Sequence, residues 1–130
     1  MTAQLFAHLS YRDAPAALDW LIALGFSEVR RQQGPDGEVT HAEVRWGAAA
    51  LIVGSADADH QTPAPTGRSA GCGLYLRVED VDAVFDRAVA AGAQPVTPPQ
   101  NTPFHTRRAR VLDPGGQDWT FGTYEPGVSW

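Results

Sequence analysis

A segment near the N-terminus returns later in the chain in the same register. At an offset of 67, Asp13 falls on Asp80, Ala16 on Ala83, Asp19 on Asp86, Ala23 on Ala90 and Gly25 on Gly92. One residue out of step, Gly47 then falls on Gly115 and Gly54 on Gly122. Capping aspartates and terminal glycines recur in unrelated helices, so each match alone says little. Their joint register is better explained by duplication, and it requires a fold built from two copies of one supersecondary unit.

The content of that unit follows from local chemistry. Residues 4–11 read as a strand. Asp13 is placed to cap a helix, Pro15 is tolerated in its first turn, Leu18, Leu21 and Ile22 form an apolar stripe, and Gly25 is a stop. Residues 27–33 and 38–46 read as strands around a Gly34–Gly37 turn, and 48–54 as a short apolar strand. Residues 55–70 have no apolar period and read as a linker. The second copy then has a strand at 71–78, an Asp80-capped helix at 81–91 ended by Gly92, and a short strand at 94–97 before the Pro98–Pro99 break. It closes with a hairpin of 105–112 and 117–124 around DPGG. We therefore expect a single α+β domain over 1–130, with a first βαβββ module at 1–54, the linker at 55–70 and a second module at 71–126.

Composition limits the partners. With 130 residues and a net charge of −5, the chain has size enough for a core but no basic balance for nucleic acid or an anionic membrane. Cys72 is the one cysteine, which rules out an intrachain disulfide and a cysteine-rich zinc site. It reads as a small buried strand residue, since its glycine neighbours supply no base. MTAQLFAHLSYRD is not a signal peptide and no apolar run approaches a membrane span, so the cytoplasm is the expected compartment.

Three segments, YRDAPAALDWLIALGF, LYLRVEDVDAVFDRAVAAGA and VLDPGGQDWTFGTYEP, occur in order with matching gaps. Together they resemble the glyoxalase, bleomycin-resistance and extradiol-dioxygenase superfamily, the vicinal oxygen chelate proteins. The resemblance implies two βαβββ modules forming a curved mixed sheet, helices on the outer side, and a shared concave cleft. It also implies a homodimer.

Strand parity assigns side chains to that cleft. Leu5, Ala7 and Leu9 go to the helix side, leaving Phe6, His8 and Ser10. Ala42, Val44 and Trp46 leave His41, Glu43 and Arg45, while Leu51 and Val53 leave Ala50 and Ile52. In the second module Gly73, Tyr75, Arg77, Arg108, Arg110, Asp118, Thr120 and Gly122 face the cleft. Cross-strand ion pairs should absorb most of these charges; an arginine left over would favour a carboxylate, phosphate or phenolate. The 97–107 segment, with Phe104 and His105, reads as a pocket rim. His60 reads as exposed and inert, Trp46 and Trp119 as core, and Trp20 and Trp130 as available for a dimer contact.

Metal-dependent members of the family carry one His, Glu or Gln on each of the first, fourth, fifth and eighth strands. Alignment on the aspartate caps puts Phe6, Ile52, Gly73 and Thr120 there. Three of these have no side-chain donor atom and Thr120 is a poor one. No metal and no cofactor is therefore expected, although an unusual site from His8, His41 and Glu43 stays open.

The expected function is that of a small-molecule binding protein of the bleomycin-resistance type, sequestering an aromatic or anionic drug or metabolite. Its ligand-binding candidates are Phe6, His8, Arg45, Ile52, Tyr75, Phe104, Arg108, Arg110 and Thr120. The alternative is a glyoxalase-like lyase or isomerase with His8, His41, Glu43 and Tyr75 as the acid–base set, or with a displaced metal. A scaffold or dimerisation module without a ligand is a third reading.

Overall fold

The computed structural model describes residues 2–56 and 71–128. The chain divides into two compact units, residues 1–66 and 67–130. The first contains β1 (Ala7–Tyr11), α1 (Ala14–Leu24), β2 (Ser27–Gln33), β3 (Val39–Trp46) and β4 (Ala49–Ser55). The second contains β5 (Gly73–Arg77), α2 (Val81–Ala90), β6 (Gln94–Asn101), β7 (Arg107–Leu112) and β8 (Asp118–Gly122). Each unit folds its strands into one four-stranded sheet, ordered β1-β4-β3-β2 in the first and β5-β8-β7-β6 in the second. First and last strands run parallel, and the other pairs are antiparallel. This is the α+β, twice-βαβββ architecture expected from the repeat.

The caps work as their residue types require. The Asp13 carboxylate accepts the Ala16 N–H at 3.1 Å, and Asp80 accepts that of Ala83 at 3.0 Å. At the end of α1 the N–H groups of Gly25 and Phe26 both reach the Leu21 carbonyl. Gly25 sits at φ 147°, and a Cβ there would lie 2.9 Å from the Trp46 ring, so both backbone and packing demand glycine. Trp46 in turn meets Phe26 edge-on with ring centroids 5.7 Å apart. Asp113 organises the DPGG turn by accepting the N–H groups of Gly115 and Gln117, while its other oxygen takes the Trp119 indole N–H at 3.1 Å.

Each helix lies on one face of its own sheet. Leu18, Leu21 and Leu24 are buried with Val44 and Val53 in the first unit, and Val81, Val84 and Ala88 with Ala109, Val111, Trp119 and Phe121 in the second.

Several expectations are corrected. Leu5, assigned to the helix side, precedes β1 and is 97% exposed. Ile22 lies at the margin of the α1 stripe, 44% exposed, whereas Trp20 is 2% exposed and part of the core, so it has no surface for a second chain. Cys72 is exposed, because β5 begins only at Gly73. Strand β6 does not break at the prolines but runs on to Asn101. Pro98 and Pro99 are accommodated because β6 is an edge strand and its pairing with β7 skips from Thr97 to Gln100. His60 and Trp130 lie outside the described residues.

Gly25 and Gly37 separate two costs of adding a methyl group. Gly37 has φ 80° and nothing within 4 Å of a would-be Cβ. Gly37→Ala should therefore cost only the backbone penalty, about 1–2 kcal/mol. Gly25→Ala should cost about 1–3 kcal/mol beyond that, from overpacking against Trp46. Urea denaturation of both variants measures the difference; equal costs would remove Trp46 from the argument.

Candidate functional site

In the second unit the sheet face opposite α2 is organised by two rows of paired residues. Tyr75 on β5 faces Thr120 on β8, which faces Arg110 on β7. The next row is Arg77, Gly122, Arg108 and Gln100. Gly122 leaves space that the Tyr75 ring fills: a Cβ there would come within 2.9 Å of two ring carbons and closer still to the hydroxyl. The Tyr75 hydroxyl donates to the Tyr124 carbonyl at 2.7 Å. Burial raises its pKa above the ordinary phenol value, with Arg77 pulling the other way, so the group is a protonated donor at neutral pH.

The link between β6 and β7 is a turn built by two threonines. Thr102 Oγ1 lies 2.7 Å from Thr106 Oγ1 and accepts the Phe104 N–H at 3.2 Å, and the Thr102 N–H reaches the Thr106 carbonyl. His105 takes φ 62° at the tip, and Phe104 is left 70% exposed.

These elements enclose a cavity of about 590 Å³. Tyr75, Phe104, Tyr124 and Pro103 give it apolar wall, and Thr102, Thr106 and Thr120 add hydroxyls. Among the described residues, Arg107 and Arg108 are its only charged lining residues. Arg107 is held bidentate by Asp82 on α2 at 2.7 and 2.8 Å and also donates to Asn101 at 3.0 Å. That hydrogen bond lowers the Asp82 pKa and raises that of Arg107. Arg110 is likewise bidentate to Asp118, which raises the arginine's pKa further.

In the first unit the equivalent row is His8, Ile52 and Glu43. A smaller cavity of about 290 Å³ is lined by Phe6, Val29, Glu43, Arg45 and Ile52, with Val44, Ala50 and Leu51. Glu43 Oε2 lies 2.6 Å from His41 Nε2. His8 is exposed and lines neither of these two cavities.

The candidate residues thus separate. Tyr75, Phe104, Arg108 and Thr120 share the larger cavity; Phe6, Glu43, Arg45 and Ile52 share the smaller. Arg110 lines an adjoining recess with Asp118. Asp118 is buried rather than open to a ligand, since Arg110 covers it. Sequence reasoning gave 97–107 as a pocket rim without singling out Thr102, Pro103, Thr106 or Arg107, and it missed Tyr124 and Val29. The repeated threonine in TPFHT was the usable signal for the turn; nothing local marked Tyr124. Among the described residues no group of three or more His, Cys, Asp and Glu side chains is placed to hold a metal ion, so His41 and Glu43 form a pair without a third donor.

The glyoxalase/bleomycin resistance protein/dioxygenase superfamily model matches residues 4–121. The chain belongs to that superfamily. Within it, an uncharacterized protein of Mycobacterium bovis is 33% identical over 124 residues, 91% of this chain and 81% of its own length. Among solved structures of the same superfamily fold, TioX from Micromonospora sp. ML1 is 30% identical with a TM-score of 0.74, covering 95% of this chain and 100% of its own. A bleomycin-binding protein solved with bleomycin is 19% identical with a TM-score of 0.64, covering 95% of this chain and 100% of its own, a likeness of fold alone. Among the described residues of this superfamily member, no helix is long and apolar enough to cross a membrane.

Gly122→Ala should push the Tyr75 ring off β8, at about 1–3 kcal/mol. Tyr75→Phe should cost only the hydrogen bond, about 0.5–1.5 kcal/mol. Tyr75→Ala in the Gly122→Ala background should recover part of the loss; additivity of the two in chemical denaturation would show that they do not touch. The Asp82 carboxyl has its pKa lowered by folding, so its contribution is complete above the ordinary carboxylate pKa and fades as pH falls through the lowered value. Asp82→Asn should lower the melting temperature at neutral pH and leave it unchanged in strong acid.

Proposed function

We propose that this protein is a metal-independent binder of a small molecule, which it holds unchanged in the cavity of the second unit. The observation that carries the reading is the lining of that cavity: about 590 Å³ of space walled by the rings of Tyr75, Phe104 and Tyr124, with threonine hydroxyls and two arginines as its polar groups. Small-molecule sites have that size and that mixture of apolar wall and sparse polar contacts. The positions that hold a metal in other members are Phe6, Ile52, Gly73 and Thr120 in this chain, and they offer no donor set. A fold that carries bleomycin in one structural neighbour supports sequestration as a role for this architecture; it does not assign that drug to this chain. Cytoplasmic sequestration of a drug or metabolite by a homodimer is the fuller form of the proposal.

One observation favours a second reading. The His41–Glu43 pair at 2.6 Å, with Glu43 on the smaller cavity, is an acid–base couple of the kind a lyase or isomerase uses.

Protein purified without chelator separates the two. Metal analysis should find no stoichiometric divalent ion. A small aromatic ligand recovered from it by mass spectrometry should rebind, raise the melting temperature and be returned intact after hours. At a hundred-fold excess over Kd that stabilisation is about 2.7 kcal/mol. Conversion of the ligand, abolished by Glu43→Gln, would replace this reading with the second. Light scattering should give the mass of two chains.

A further inference from the structure

We infer that the ligand of the second unit's cavity is a planar aromatic molecule carrying a single negative charge, and that Arg108 selects it. The inference rests on that cavity being the binding site and deepens it to a ligand class.

The charge balance of the cavity favours an anion. Among the described residues no acidic side chain lines it. Of its two guanidinium groups, Arg107 is already matched by the Asp82 carboxylate. Arg108 has no ion pair or side-chain hydrogen bond among the described residues. Its neighbours across the strands, Gln100 and Gly122, bring no charge. Arg110, two residues along the same face, is engaged by Asp118. One uncompensated positive charge therefore faces a pocket of a chain whose net charge is −5.

Desolvation points the same way. A neutral molecule filling the pocket would strip water from the Arg108 guanidinium and return nothing, a cost that an anionic group repays with charge-assisted hydrogen bonds. Among the described lining residues Arg108 is the one cation without a carboxylate, so one negative charge is matched there and a second is not. Shape favours a flat ring. Tyr75, Phe104 and Tyr124 present ring surface, and the threonine turn holds Phe104 exposed over the cavity. Flat aromatic ligands use such walls at low entropy cost. The Tyr75 hydroxyl is occupied by the Tyr124 carbonyl, which leaves the guanidinium as the principal charged recognition group.

Calorimetric titration with 2-naphthoate and its uncharged isostere 2-naphthamide tests this. Wild-type protein should bind the carboxylate at least about ten-fold more tightly, the effect of one charge-assisted hydrogen-bonded pair. Arg108→Gln should bring the two affinities together by weakening 2-naphthoate alone, and Arg108→Lys should keep part of the preference. Arg108 is exposed, and unchanged circular dichroism will show that both variants fold. Equal affinities in the wild type, or a preference that survives Arg108→Gln, would overturn the charge assignment while leaving the cavity as the site. Failure of both probes to bind would overturn the site as well.

Discussion

The second unit's cavity depends on one register: β5 lies parallel to β8 with Tyr75 opposite Thr120 and Arg77 opposite Gly122. A slip of one residue would send every side chain to the other face of the sheet. In the observed register the bare backbone at Gly122 receives the Tyr75 ring, and the hydroxyl at its far end finds the Tyr124 carbonyl. The first unit repeats the geometry with different chemistry. His8 stands opposite Ile52, Ser10 opposite Gly54, and a Cβ on Gly54 would lie 3.9 Å from the His8 ring nitrogen Nε2. The duplicated backbone thus keeps a side chain leaning over a glycine in both units, a tyrosine in one and a histidine in the other.

Electrostatics explains why so few of the polar residues on these faces are open to a ligand. Asp82 reaches from the first turn of α2 to Arg107, tying the helix to the start of β7. Asp118 and Arg110 neutralise each other, as adjacent chains of an antiparallel pair often do. His41 and Glu43 meet along one strand. The two more exposed pairs, Asp82–Arg107 and His41–Glu43, add little stability. Their effect is to remove charge from the site, which sharpens the contribution of any group left over.

Much of this was legible in the sequence because it is local. The caps at Asp13 and Asp80 and the alternation in β3, β4, β7 and β8 follow from side-chain chemistry a few residues apart. What was not legible depends on distant partners. Trp20 looks peripheral on a helical wheel but is 2% exposed in the folded chain. Pro98 and Pro99 forbid a central strand yet suit an edge with skipped pairing, and edge position is a property of the sheet. Arg107 was not among the cleft arginines of the sequence reading, and Asp82, 25 positions away, is what matches its charge. Tyr124 became a site residue through a bond to Tyr75, 49 positions earlier.

The binding cavity proposed for the second unit needs neither a metal ion nor the first unit. Amide chemical-shift mapping by NMR during titration with 2-naphthoate, run with and without chelator, tests it most directly. Shifts should be confined to Tyr75, residues 102–108, Thr120 and Tyr124, and be identical in the two titrations. Shifts centred on Glu43 and Ile52, or shifts that vanish when divalent ions are removed, would contradict it.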